Sequence, residues 1–389
     1  MLPLASARLI QSELQALRRD LHAHPETAFE EKRTAGVVAA RLEAWGIETH
    51  RGLADTGVVG VIRGAGSGEA IGLRADMDAL PIAEANEFAH RSTVAGRMHG
   101  CGHDGHTAML LGAARVLADG RDFDGTVYLI FQPAEEGTGG ARVMIEQGLF
   151  ERFPMHAVFG MHNWPGLPVG EFAVHAGAVM AGTDRFRIRI EGVGGHAAMP
   201  HLGADPVLAG AALVQAVQSV VARALDPLEA AVVSITCFHA GDTFNVLPGT
   251  AELAGTLRAF SPAVREKALT RLRELCAGIG AAFGVDIAFE LQPGGYPPTI
   301  NVASEAAWCV QAAAAVVGED AVHTAEHPSM GAEDFAFHLQ KRPGAYIWIG
   351  NGASAALHHP RYDFNDDILA LGTAYWVELA RRRLAREHA

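Results

Sequence analysis

Short apolar runs at residues 58–62, 70–73, 127–131 and 157–161 read as buried strands, and they alternate with helical patterns. That alternation restricts the fold more than any other feature of the chain. Residues 8–22 and 31–45 read as amphipathic helices, the second closed by Gly46 at a C-cap position, and 106–118 reads as another helix. Strands interleaved with helices imply an α/β layer built on a mixed, largely parallel sheet. In such sheets ligands gather beyond the carboxyl ends of the strands. The polar clusters fall in those places: Arg74-Ala75-Asp76-Met77-Asp78, Gln132-Pro133-Ala134-Glu135-Glu136 and His162-Asn163-Trp164.

Near residue 183 the texture changes. Residues 184–191 alternate charged with apolar side chains, the period-2 signature of a strand wet on one face. A helix over 206–224, strands at 231–238 and 250–260, a helix over 262–283 and a strand at 286–291 follow. The order β-α-β-β-α-β is that of a ferredoxin-like unit. Pro293-Gly294-Gly295-Tyr296-Pro297-Pro298 reads as the hinge back to α/β texture. The chain of 389 residues exceeds the size at which one core keeps growing. The expected organisation is a catalytic domain in two parts, 1–182 and 295–389, interrupted by an inserted α+β domain at 183–294.

Composition excludes several function classes. The formal charge of −13 argues against a nucleic-acid partner, which needs clustered Lys and Arg. Only Arg381-Arg382-Arg383-Leu384-Ala385-Arg386 is locally basic, as expected of a solvated helix end. The most apolar run, 206–221, is interrupted by Gln215, Gln218 and Ser219, so no membrane span is expected. The N-terminus carries no secretory pattern. Cysteines at 101, 237, 276 and 309 form no disulfide spacing, and a reduced, cytoplasmic setting is expected.

The chemistry concentrates in Met98-His99-Gly100-Cys101-Gly102-His103-Asp104-Gly105-His106. One thiol and three imidazoles suit a metal of intermediate softness, and the glycines let side chains converge. A buried thiol beside a helix-starting Asp104 would explain the same residues without a metal. Glu135-Glu136 follows an apolar run and is badly placed for a core. A metal hydrolase needs two carboxylates, one as ligand and one to take the proton from water. The bland alternative is an acidic pair favoured by a helix N-terminus. His162 sits at a third strand end, and Leu357-His358-His359-Pro360 supplies further imidazoles. A shell of Cys101, His103, Glu136, His162 and His358 carries two negative charges, which favours two divalent ions over one.

Together these residues resemble the M20 family of metallopeptidases, in the aminoacylase/amidohydrolase branch that includes hippurate hydrolases and plant auxin-conjugate amidohydrolases. The resemblance spans nearly the whole chain. It includes Arg18-Arg19-Asp20-Leu21-His22-Ala23-His24-Pro25-Glu26, Gly194-Gly195-His196-Ala197-Ala198-Met199-Pro200, Asn245-Val246-Leu247-Pro248 and Met330-Gly331-Ala332-Glu333-Asp334-Phe335 beside the clusters above. It implies metal ligation by Cys101, His103, Glu136, His162 and His358, with His359 the weaker candidate. It implies Glu135 as the general base, and Asp76 and Asp78 as supporting residues rather than ligands. His196 matches a histidine of the inserted domain that polarises the scissile carbonyl in a neighbouring subunit's site. Asn245 and Arg258 match positions that hold the substrate carboxylate, a task suited to arginine's planar fork. A surface cation on a strand is the plainer account of Arg258.

The resemblance further implies two divalent ions per subunit (zinc, manganese, cobalt or nickel), an N-acyl amino acid substrate and a homodimer formed through the inserted lid domain. Apolar residues near these clusters, Phe131, Met161, Trp164, Met180 and Met199, suit an aromatic or fatty acyl group or else the core. N-acetyl-diaminopimelate deacetylation and dipeptide hydrolysis are alternatives within the same chemistry. A catalytically silent metal-bound binding protein and a hydrolase using Cys101 as nucleophile are alternatives of other classes.

Overall fold

The structure, a computed structural model, describes residues 2–66 and 68–385. Arg386 of the basic end lies outside them. The chain forms two compact units. The first comprises residues up to Val179, Ile300–His327 and the chain from Asp334 on; the second comprises Met180–Thr299 and Pro328–Glu333. The boundaries expected at 183 and 294 therefore shift, and a segment assigned to the second part of the catalytic domain joins the inserted unit. One backbone pairing and one guanidinium bond tie that segment to the second unit. Ala181 N donates to the Ser329 carbonyl at 3.0 Å, and Arg258 Nη1 donates to the Met330 carbonyl at 2.8 Å.

The first unit is built on an eight-stranded sheet. Its strands run in the order Glu48–Leu53, Gly57–Arg63, Thr126–Gln132, Ala70–Asp76, Ala157–Pro165, Gly344–Gly352, Phe172–Ala173 and Val322–His323. The four central strands are mutually parallel and antiparallel neighbours flank them. These central strands are buried throughout or nearly so, which explains their continuous apolar runs. Helix His103–Gly120 packs its Met109, Leu110, Ala113 and Leu117 into the core, together with Leu14 and Leu21 of helix Gln11–Ala23. Each buried Leu or Met side chain here is worth about 1.5–3 kcal/mol. The helix expected over 8–22 is two helices, Pro3–Leu9 and Gln11–Ala23, divided at Ile10.

The second unit holds a four-stranded antiparallel sheet in the order Ala231–Ala240, Thr250–Ala259, Gly182–Glu191 and Asp286–Tyr296. Strand Gly182–Glu191 alternates buried and solvent-facing residues, with Phe186, Ile188 and Ile190 inward. Helices Pro206–Ser219 and Pro262–Phe283 cover that face through Leu213, Val217, Leu269 and Leu272. The segment expected to be a hinge, 293–298, instead begins inside strand Asp286–Tyr296, whose register shifts between Gln292 and Tyr296. By length and composition, Pro206–Ala224 is apolar enough to cross a membrane despite its two glutamines. Its Ala209, Leu213, Val217 and Val220 are packed in the core of the second unit.

Candidate metal centre

Three central strands of the first unit deliver the site. Strand Ala70–Asp76 ends at Asp76, with Asp78 just beyond; Thr126–Gln132 leads to Glu135 and Glu136; Ala157–Pro165 carries His162 within it rather than after it. Helix His103–Gly120 starts at the site and places His103 in its first turn. Gly102 precedes it with φ of 95°, and a Cβ there would collide with the Asn163 amide and the Tyr362 hydroxyl. Ala134 and His358 take left-handed φ values of 57° and 65°, each costing about 1–2 kcal/mol for an L-residue. Both flank donor atoms. The turn at Ala134 is fastened by its N–H to Glu31 Oε1 at 3.0 Å, and His358 N donates to the Gly100 carbonyl at 2.8 Å.

Donor atoms of Cys101, His103 and His162 lie within 4.8 Å of one another, as do those of Cys101, Glu136 and His358, and those of His103, Glu135 and Glu136. The first two groups share the Cys101 Sγ. The His103 and His162 imidazoles are each oriented by a hydrogen bond at the other nitrogen. His103 Nδ1 donates to Asp78 Oδ1 at 3.1 Å, which turns Nε2 toward the cluster, and that buried nitrogen has no hydrogen-bond partner. His162 Nδ1 donates to the Asn163 carbonyl at 2.6 Å, which leaves Nε2 facing Cys101 Sγ at 3.3 Å. Such bonds fix the tautomer that a metal requires. Glu136 Oε1 is buried and lies 3.1 Å from His358 Nε2.

Neighbouring residues are already engaged. His106 gives Nδ1 to Asp76 Oδ1 at 2.6 Å and accepts at Nε2 from Asn163 N at 3.0 Å. Asp76 Oδ2 is held by Arg74 Nη1 at 2.6 Å. His359 turns away, its Nδ1 accepting from Arg361 N at 3.0 Å. His99 is buried and neither of its nitrogens has a hydrogen-bond partner; burial pushes its pKa down to about 4.

Electrostatics agree with the geometry. Burial disfavours the His103 imidazolium, yet Asp76, Asp78 and Glu136 outweigh it and raise the pKa to about 10. Burial pushes the Cys101 thiol up, and the charges of Glu136, Glu135 and Asp76 push it further. Carboxylates thus crowd the His103 ring and the Cys101 thiol. Imidazole, thiol and carboxylate groups converging in a buried pocket, with His103 Nε2 lacking a hydrogen-bond partner, fit divalent cations, which would displace the imidazolium proton and turn the thiol to thiolate. A thiolate with imidazoles and a carboxylate suits zinc, cobalt or nickel better than magnesium.

The remaining expected site residues lie in the second unit. His196 and Asn245 are brought together there. Strand Gly195–His196 pairs with Val246–Leu247, and Ala197 N donates to the Asn245 carbonyl at 3.0 Å. Both residues are exposed. Ala198 N donates to His196 Nδ1 at 3.1 Å, which leaves the proton on Nε2. Arg258 is half-buried and gives Nη1 to the Met330 carbonyl. Sequence reasoning gave no part to Asp334, whose N–H donates to Glu135 Oε1 at 3.2 Å. The run Gly331-Ala332-Glu333-Asp334 was its only signal.

Comparison with known proteins accords with this chemistry. The profile of peptidase family M20/M25/M40 matches residues 72–382. A hippurate hydrolase of Campylobacter jejuni is 39% identical over 375 residues, covering 96% of this chain and 97% of that protein. An N-acetylcysteine deacetylase of Bacillus subtilis is 40% identical over 386 residues, covering 96% and 97%. Among solved structures, a dinuclear metal-binding M20 peptidase of Bacillus subtilis superposes with a TM-score of 0.86 at 36% identity, covering 97% of this chain and 99% of that one. With a family match over most of its length and relatives of this identity along nearly all of it, the chain belongs to peptidase family M20/M25/M40.

Proposed function

We propose that this protein is a metal-dependent amidohydrolase that cleaves N-acyl amino acids, of the hippurate or N-acetyl-amino-acid kind, to a carboxylate and a free amino acid. The observation that carries this reading is the convergence of Cys101, His103, Glu136, His162 and His358 donors beside a second carboxylate, Glu135. The names of the two relatives support the substrate class. Those five residues would hold two divalent ions, which would supply Lewis acidity and a lowered water pKa.

Glu135 is buried and reaches the donor cluster, while its neighbour Glu136 points to His358. Adjacent carboxylates thereby divide the work: Glu136 binds, and Glu135 takes the proton from the attacking water and returns it to the leaving amine. His196, with its proton on Nε2, is the donor we assign to the scissile carbonyl in a neighbouring subunit's site, with Asn245 and Arg258 assigned to the substrate carboxylate. We read the second unit as a ferredoxin-like lid and dimerisation domain. Its edge strand Ala231–Ala240 and the exposed Leu208, Phe238 and Phe244 support a homodimer through that unit.

Replacing Glu135 by Gln tests the mechanism. The expected result is retained metal, measured by elemental analysis, with turnover of N-benzoylglycine reduced by about 10²–10⁴-fold. Unchanged turnover removes Glu135 from the role.

A further inference from the structure

Glu135 is gripped from a distant part of the chain. Its Oε1 accepts the main-chain N–H of Asp334, 199 residues away. The Asp334 side chain is itself fully buried and held on both oxygens. Oδ1 accepts from Arg74 Nη2 at 2.9 Å and from Gln132 Nε2 at 2.8 Å; Oδ2 accepts from Gln132 Nε2 and from Ala141 N, each at 2.9 Å. Arg74 is pinned in turn. It gives Nε to Gln132 Oε1 at 2.8 Å and Nη1 to Asp76 Oδ2 at 2.6 Å, and its guanidinium lies 5.8 Å from the Phe335 ring centroid. His338 Nε2 adds a contact to Gln132 Oε1 at 3.2 Å.

A buried network of this kind tolerates few alternative arrangements, because each broken bond strands a polar group in low dielectric. A less firmly held glutamate would keep more of its rotamer freedom. We propose that Asp334, clamped by Arg74 and Gln132, is a positioning residue whose main-chain N–H fixes Glu135 Oε1 and so sets the angle at which the carboxylate meets the attacking water. The inference rests on Glu135 being the base. Arg74 also joins Asp334 to Asp76, so one guanidinium holds the mounting of the base and the carboxylate that orients His106.

A double-mutant cycle tests it in the metal-loaded protein. Asp334→Asn keeps the side-chain volume but sets an amide N–H2 against groups that are all donors. The expected outcome is a fall in kcat for N-benzoylglycine of ~10-fold or more, the scale of a misplaced catalytic group. KM should stay within about twofold and metal content should be unchanged. In a Glu135→Asp background, where the shorter carboxylate withdraws from the Asp334 N–H, Asp334→Asn should cost nothing further. Wild-type kcat in a folded Asp334→Asn protein, or losses that multiply in the double mutant, overturns the proposal. If Asp334→Asn does not fold, Gln132→Met removes one donor from the clamp and is read through the same cycle. Full turnover by Glu135→Gln would instead overturn the assignment of the base, so the two failures are distinct.

Discussion

Asp78 shows how much of the centre depends on a residue that need not touch a metal. Its Oδ1 fixes the His103 tautomer, and its Oδ2 accepts the Glu136 N–H at 2.9 Å. Two of the five donor residues therefore take their orientation from one carboxylate. Asp78→Ala should weaken metal binding by about 10–100-fold, as measured by chelator competition; unchanged affinity would contradict that role. The local part of this site is legible in the sequence. Cys101, His103 and the Glu135-Glu136 pair stand in short motifs that mark them as candidates, though a buried thiol or an acidic helix start would read the same. What orients them is not legible, because Asp78 meets His103 across 25 residues and Arg74 meets Asp334 across 260. Those pairings follow from strand order, which apolar runs do not specify.

Among elements, helix His103–Gly120 bears the most on the site. Its start is sterically restricted at Gly102. Gly102→Ala should lower thermal stability and metal occupancy together, since a Cβ there meets Asn163 and Tyr362; a protein with wild-type melting and metal content would refute the restriction. The same helix is tied to helix Gln11–Ala23 by His22 Nδ1 to Asp104 Oδ2 at 2.9 Å. Burial opposes the charged His22 ring, but bonds to Asp104 and Glu84 outweigh it and raise the pKa from 6.5 to about 9. A raised imidazole pKa stabilises the fold fully below the unfolded value and loses that contribution as pH climbs through the folded one. The melting temperature should therefore decline between pH 6.5 and about 9, and His22→Gln should flatten that decline. Parallel profiles for the two proteins would count against it. The longer elements up to residue 296 were legible from period and punctuation, whereas strand Gly344–Gly352 and helices Ala303–Val317 and Leu369–Arg383 were read only as α/β texture. The edge strand Glu48–Leu53 was not legible, because it is largely exposed and short of apolar residues.

For the whole molecule, the division into an α/β unit and an inserted antiparallel unit follows from the switch in hydrophobic period near residue 183. The contribution of Pro328–Glu333 to the second unit was hidden, since it arises from backbone pairing with Ala181 rather than from composition. If the edge strand Ala231–Ala240 forms a dimer interface, Phe238→Glu should shift the sedimentation coefficient from dimer to monomer; an unchanged coefficient excludes that edge. The central claim concerns metal, and one measurement reaches it directly: hydrolysis of N-benzoylglycine before chelation, after complete metal removal, and after a divalent ion is restored. The account predicts loss of activity on removal and recovery on restoration. Activity that survives metal removal and is abolished by alkylating Cys101 would contradict it.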